Sequence, residues 1–354
     1  MSRSQMRYHP TVGYVYMPSM KMRAPGANGG YLVRTNAAGF RSDREFVQQR
    51  EPGTFRALLF GDSQTAGDGL ANADRYSDLL EKTIPGLEIY NYGISGTGPD
   101  QQLLAYQEYA GVEHDLLIIA LYVENIRRVN RRLITSLEAD GEEAYYPKPY
   151  YLLEQDELVL HNVPVPKKPF TPQTLPEDRR PYVYSYCETN VFSRKEQPKW
   201  GKLLPHGPLR RALKDLLIRF SRFQPLPDYN SPANPDWLLL RRILETWQRA
   251  SEKPVLLVTL PHYSYFVSTG DAGGYQTRFR ELSQSTGCHL YDPLPDLWKF
   301  NAEERRSFWC DSAGHLSPQG HQALAGLLAP VITDIMQTAE RPPRAVGDGM
   351  ARVH

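Results

Sequence analysis

Cysteine is scarce in this chain: Cys187, Cys288 and Cys310 are the only three in 354 residues, an odd number without CxxC spacing. That excludes a disulfide framework and a thiolate zinc site, and a reducing compartment is the simpler reading. Long apolar runs are missing too. Nowhere do the ~18 consecutive apolar residues of a spanning helix occur, and the opening MSRSQMRYHP lacks the apolar core of a secretory signal. The expectation is a cytoplasmic protein without a membrane span. Charge of one sign is absent as well: 41 basic and 40 acidic side chains leave a formal net charge of +1, so no global field recruits nucleic acid or an anionic membrane. No GxSxG elbow, GxxxxGK[ST] loop, strand-linked GxGxxG, HExxH or EF-hand spacing is found. These gaps argue against an α/β-hydrolase elbow and nucleotide binding, and no metal or cofactor is expected.

What is present is ordinary globular material, 41% apolar and 23% charged. Five short apolar runs read as buried strands: Thr54–Phe60, Leu87–Asn91, Leu116–Val123, Pro254–Leu260 and Cys288–Tyr291. Helical patterns alternate with them, which predicts a three-layer α/β/α sandwich, flavodoxin-like, around a mostly parallel five-stranded sheet. Asn234 with Pro235 opens a helix on which Trp237, Leu240, Leu244 and Trp247 recur at helical spacing. Ser317 with Pro318 opens the last helix, with Leu324, Leu328, Val331 and Ile335 on one face and Pro330 as a point of bending. Between about Asn130 and Pro232 the rhythm is lost. This segment reads as an insertion or lid, rich in tyrosine, with a hairpin over Tyr150–Leu160 and a basic amphipathic helix over Leu209–Phe223. Residues 1–50 read as a loop and an extended N-terminal arm with a turn at Asn36–Phe40, residues 51–338 as the main domain, and residues 339–354 as a disordered tail.

Active sites of open α/β sheets lie at the carboxyl ends of the strands, and the candidate residues fall there. Ser63 follows the first strand at once in GDSQTAGDG. A serine hydroxyl is a weak nucleophile that needs a neighbouring base, usually an imidazole held by a third group. Of nine histidines, His315 stands out: it precedes the Ser317-Pro318 helix start, with Asp311 four residues upstream. His262, just past the fourth strand, is placed to line a substrate pocket, and His321 reads as a structural or partly exposed histidine. Oxyanion donors are supplied by Gly96 in NYGISGTG and by Asn125 after the third strand.

Taken together, GDS, the N-x-x-x-x-G of Asn91–Gly96, an asparagine after the third strand and a terminal Asp…His before a helix start resemble the SGNH (GDSL-like) hydrolase superfamily, over about Thr54–Asn125 and Pro254–Met336. The resemblance implies a serine esterase with Ser63 as nucleophile and first oxyanion donor, Gly96 and Asn125 as the other donors, and His315 as base. It departs from the family pattern in two places. The third block keeps only Asn125 of the usual GxND, and Ser312 holds the usual place of the triad acid. Asp311 then completes the triad through a wider loop, or a backbone carbonyl orients His315 in a Ser–His dyad. The implied substrate is a small acyl ester, acetyl foremost, on a carbohydrate or biosynthetic intermediate. Two alternatives carry different chemistry: an O-acyltransferase using the same site, and a non-catalytic binding protein on a decayed SGNH fold.

Overall fold

A computed structural model describes residues 5–25, 30–138, 141–184, 224–266, 270–309 and 314–340. Ahead of the first long apolar run, two antiparallel hairpins form, β1 (Met6–His9) with β2 (Gly13–Tyr16) and β3 (Lys21–Ala24) with β4 (Tyr31–Arg34). Within the loop and extended arm expected for residues 1–50, these four strands pair, and the described residues from 35 to 50 remain loop and turn. His9 closes the first turn, its Nδ1 accepting the amides of Thr11 and Val12 at 3.2 and 3.1 Å. Asn36–Phe40 is the expected turn: Asn36 Oδ1 accepts the Phe40 amide at 2.9 Å.

Downstream come β5 (Phe55–Gly61), β6 (Leu87–Asn91) and β7 (Leu116–Tyr122), then β8 (Leu133–Leu137), β9 (Glu143–Pro147), β10 (Tyr150–Glu154), β11 (Glu157–His161) and β12 (Val183–Tyr184), and finally β13 (Val255–Leu260) and β14 (His289–Tyr291). Five of these build one sheet in the order β6-β5-β7-β13-β14, with every neighbouring pair parallel. Counted among themselves this is the 2-1-3-4-5 order of flavodoxin-like folds, the sandwich expected from the five runs.

Alternation along the strands feeds two cores. Leu58, Phe60, Leu117, Ile119, Leu121 and Leu257 face one way and pack with Leu103, Trp237, Leu240, Trp247 and Phe279. These come from helices Pro99–Tyr109, Pro235–Ala250 and Gly273–Thr286. Ala57, Leu59, Ile118, Ala120, Leu256 and Val258 face the other way, against Leu80 of helix Tyr76–Thr83 and Leu324, Leu328, Ile332 and Ile335 of helix Pro318–Glu340. Both faces covered explains why the strands read as mainly apolar runs without strict alternation. Asn234 caps its helix as expected, accepting the amides of Asp236 and Trp237. On the last helix the fully buried place is held by Ile332, with Val331 only half-buried.

The insertion adds a three-stranded sheet, β12-β8-β9, and the β10–β11 hairpin, which turns through Gln155 and Asp156 at positive φ. The basic segment Leu209–Phe223 and residues 341–354 of the tail lie outside the described residues. Among the described residues, no helix is long and apolar enough to cross a membrane, no group of three or more His, Cys, Asp or Glu is arranged to hold a metal ion, and Cys288 is buried and unbridged.

Candidate active site

Every strand end that matters converges on Asp62-Ser63. β5 runs out at Gly61, where any side chain is forbidden by close approach: a Cβ would stand 2.2 Å from Thr65 Oγ1. The chain then turns into the short helix Ser63–Ala66, capped by Asp62, whose Oδ1 accepts the Gln64 amide at 3.0 Å. Ser63 retains 9% of its surface, whereas Asp62 is fully enclosed.

Asn91 ties the end of β6 to this turn. Its Nδ2 donates to the Thr65 carbonyl and to Ser77 Oγ, both at 2.8 Å, while its Oδ1 accepts the Gly93 amide at 2.9 Å. The following loop reaches Gly96 in the left-handed region at φ +78°, a conformation that favours glycine. Ser95 beside it is braced from the N-terminal hairpin. Tyr16 Oη lies 2.6 Å from Ser95 Oγ, Tyr14 Oη donates to the Ser95 carbonyl at 3.2 Å, and Ser95 Oγ also donates to Asp68.

Asn125 enters from the turn Val123–Arg128 at the end of β7. Its Nδ2 donates to Asp62 Oδ2 at 2.9 Å, and Arg128 Nη1 approaches the same oxygen at 3.4 Å. Asn125 is enclosed, and its Oδ1 has no hydrogen-bond partner. One N–H of the amide is thus held by Asp62 next to Ser63, and the amide plane is fixed.

The histidine arrives through Gln64. Its Nε2 donates to the Gly314 carbonyl at 2.7 Å and its Oε1 accepts the Leu316 amide at 3.2 Å. The peptide groups on both sides of His315 are therefore fastened to the residue that follows Ser63. The loop carrying His315 closes as a bridge between Trp309 and Leu316, continued by the Ser317 amide donating to the Phe308 carbonyl at 2.8 Å. His315 itself is half-buried. Asp311, expected as the triad acid, lies outside the described residues.

The other two histidines are interior groups. His262 sits past the end of β13 but is 1% exposed, with its ring beside Tyr122 and Tyr265 and its Nδ1 accepting the Ser264 amide at 3.3 Å. Burial, with Arg127 nearby, brings its pKa down to about 3. His321 is equally enclosed, stacked on Tyr76 and accepting that residue's amide on Nδ1 at 3.1 Å. Burial, followed by the charges of Arg75, Arg41 and His315, brings it to about 3 as well. Each is a neutral imidazole at ordinary pH.

Ser63, Asn125 and the backbone of His315 are thus brought together, with Gly96 on the adjoining loop. Four contributors escaped sequence reasoning: Asp62, Gln64, Arg128 and the Tyr14/Tyr16 pair. Asp62 carried a signal, its place beside Ser63, but one equally suited to a turn. The others carry no signal of their own, although Gln64 and Arg128 lie beside motif residues, and only the fold reveals their partners.

No family model matches the chain, and no curated protein matches it. Solved structures similar to it include a member of the lipolytic G-D-S-L family from Veillonella parvula, at 9% identity and TM-score 0.39, covering 79% of this chain and 99% of that one. An acetylxylan esterase from Geobacillus stearothermophilus is similar at 13% identity and TM-score 0.39, covering 80% and 95%. A psychrotrophic esterase from a Pseudoalteromonas species is similar at 11% identity and TM-score 0.34, covering 80% and 95%.

Proposed function

We propose that the chain is a serine ester hydrolase of the SGNH type, acting on an acyl ester, acetyl foremost, carried by a carbohydrate or small biosynthetic intermediate. The observation that carries the reading is the pair of Gln64 hydrogen bonds to Gly314 and Leu316, which fasten the peptide groups on either side of His315 to the residue after Ser63 across 250 residues of sequence. Such fastening serves an imidazole that must meet a hydroxyl, because general base catalysis requires hydrogen-bond reach.

In the proposed reaction Ser63 Oγ attacks the ester carbonyl carbon as His315 takes its proton. The negative charge on the carbonyl oxygen is received by the Ser63 and Gly96 amides and by the Asn125 Nδ2 hydrogen that Asp62 does not use. Collapse breaks the bond to the alcohol, which leaves with the proton from His315. Water, deprotonated by the same imidazole, then releases the acid and restores Ser63. Asp311 is the proposed orienting acid, residues 51–338 the catalytic domain, and the insertion at about 130–232 its lid.

The test is hydrolysis of 4-nitrophenyl acetate together with fluorophosphonate labelling. Wild type should turn over the ester and take the label on Ser63, and Ser63→Ala should lose at least about three orders of magnitude in kcat while remaining folded. Unchanged turnover in Ser63→Ala, or no turnover and no label in wild type, overturns the reading.

A further inference from the structure

The tyrosines crowding the insertion divide by role. Tyr151 and Tyr184 are buried in the interior. Tyr145 donates to Glu143 at 2.8 Å and Tyr146 to Glu138 at 2.9 Å. Tyr150 and Tyr182 both lie against a guanidinium: the carbon centre of Arg132 lies 4.9 Å from the Tyr150 ring centroid and 3.7 Å from that of Tyr182. His161 stacks on Tyr150 as well, at 5.3 Å and 8°. Strand pairing builds this clamp. β12 runs beside β8 with Val183 against Leu133, and the Arg132 amide donates to the Tyr182 carbonyl at 2.9 Å.

Arg132 belongs to a run of four arginines whose neighbours are otherwise engaged. Arg127 faces Asp228 at 3.9 Å and Arg128 faces Asp62 at 3.4 Å. Arg131 donates to the carbonyls of Arg127 and Pro181 at 3.1 and 2.7 Å. Carboxylates around the clamp are committed too: Glu154 to His161 at 3.3 Å, Glu138 to Tyr146, and Asp100 to Lys148. Among the described residues no carboxylate pairs with Arg132, and its Nε is enclosed without a hydrogen-bond partner.

Two rings packed against a guanidinium leave its donor edge for an anion, and that edge presents N–H groups in a planar fork matched to a carboxylate. The rings also hold the side chain in one place, so little freedom is lost when an anion docks. Four residues of chain span at most about 14 Å, so Arg132 lies within the length of a small saccharide of Arg128, which touches the residue before Ser63.

We propose that Arg132, clamped by Tyr150 and Tyr182, binds a carboxylate of the substrate, so that the ester hydrolysed is carried on an acidic sugar or a similar carboxylate-bearing alcohol. The substrate assignment rests on the hydrolase reading, but the binding site itself does not. Its test therefore uses ligands without an ester: D-glucuronate, D-glucuronamide and inorganic phosphate, titrated into the full-length wild-type protein by calorimetry. Glucuronate should saturate and bind at least tenfold more tightly than the neutral glucuronamide, with phosphate the weaker of the two anions. Arg132→Gln, its fold checked by circular dichroism, should bind glucuronate no better than glucuronamide, and Arg132→Lys, which keeps the charge without the fork, should lose at least fivefold. Equal binding of glucuronate and glucuronamide by wild type overturns the site whatever the variants do, as does a folded Arg132→Gln with undiminished affinity. Phosphate binding as tightly as glucuronate overturns the assignment to a carboxylate.

Discussion

Asp62 holds together three groups that reach it from different parts of the chain: the Gln64 amide at 3.0 Å, Asn125 Nδ2 at 2.9 Å and Arg128 Nη1 at 3.4 Å. All three are donors, and a carboxylate is a pure acceptor that can serve them all. Asp62→Asn keeps the shape but turns an N–H toward one of these donors, so Asn125 loses its fixed orientation. If Asn125 stabilises the oxyanion, kcat should fall by about 10- to 1000-fold with KM little changed, the pattern of an interaction made in the transition state. An equal rise in KM would instead mark a substrate-binding role. His262 and His321 give a second prediction at this scale. Both have folded pKa values of about 3, far below the ordinary ~6.5 of histidine. The folded state therefore binds fewer protons than the unfolded chain between about pH 6.5 and 3, and stability falls as pH drops through that window. Each should cost about 2 kcal/mol at pH 5 relative to pH 8. Urea midpoints measured from pH 8 to 5 should decline, and His262→Gln should decline less steeply than wild type by roughly one histidine's share.

Among the elements, the N-terminal hairpin does more than cover the sheet. Tyr14 and Tyr16 of β2 hold Ser95, the residue before Gly96. Tyr16 is fully buried, and burial raises its pKa well above the ordinary tyrosine range, so it serves as a neutral hydroxyl. Tyr16→Phe removes that hydroxyl from a closed site and should cost about 1–3 kcal/mol in stability. If Gly96 is an oxyanion donor, turnover of 4-nitrophenyl acetate should also fall, by roughly tenfold at constant KM. Loss of stability with unchanged kcat would confine the hairpin to a structural role. Nothing in the sequence exposed this brace. The five sheet strands were legible because each is a predominantly apolar stretch of three to seven residues, with β5, β6, β7 and β13 almost wholly buried. β1 to β4 are four residues each, with mixed burial in three of them, too short for a period to emerge. Ser63, Gly96, Asn125 and His315 were singled out by spacing that resembles a family motif. Gln64 was not, because its worth lies in contacts with residues 314 and 316, a distance along the chain that no local pattern spans.

Over the whole molecule, the insertion is joined to the sheet through a buried ion pair. Lys148, just after β9, meets Asp100 at the start of helix Pro99–Tyr109, with side chains 2% and 0% exposed. Lys148 Nζ donates also to the Arg131 carbonyl at 3.1 Å and the Arg128 carbonyl at 3.4 Å. Burial pushes the Asp100 pKa up and the Lys148 pKa down, and each partner's charge opposes the other's shift. The N-terminal hairpin joins the same assembly: Tyr8 Oη donates to the Val165 carbonyl and the Val165 amide to the Pro10 carbonyl, both at 2.7 Å. Hairpin, insertion and sheet should accordingly unfold as one unit. Removing one charge strands the other in a closed interior, which typically costs about 3–5 kcal/mol, whereas replacing both by apolar groups is often close to neutral. Lys148→Met should therefore lower the urea midpoint strongly in a single transition, and Asp100→Leu added to it should restore most of the loss. A Lys148→Met protein that unfolds in two separated steps would mean that the insertion is a module of its own.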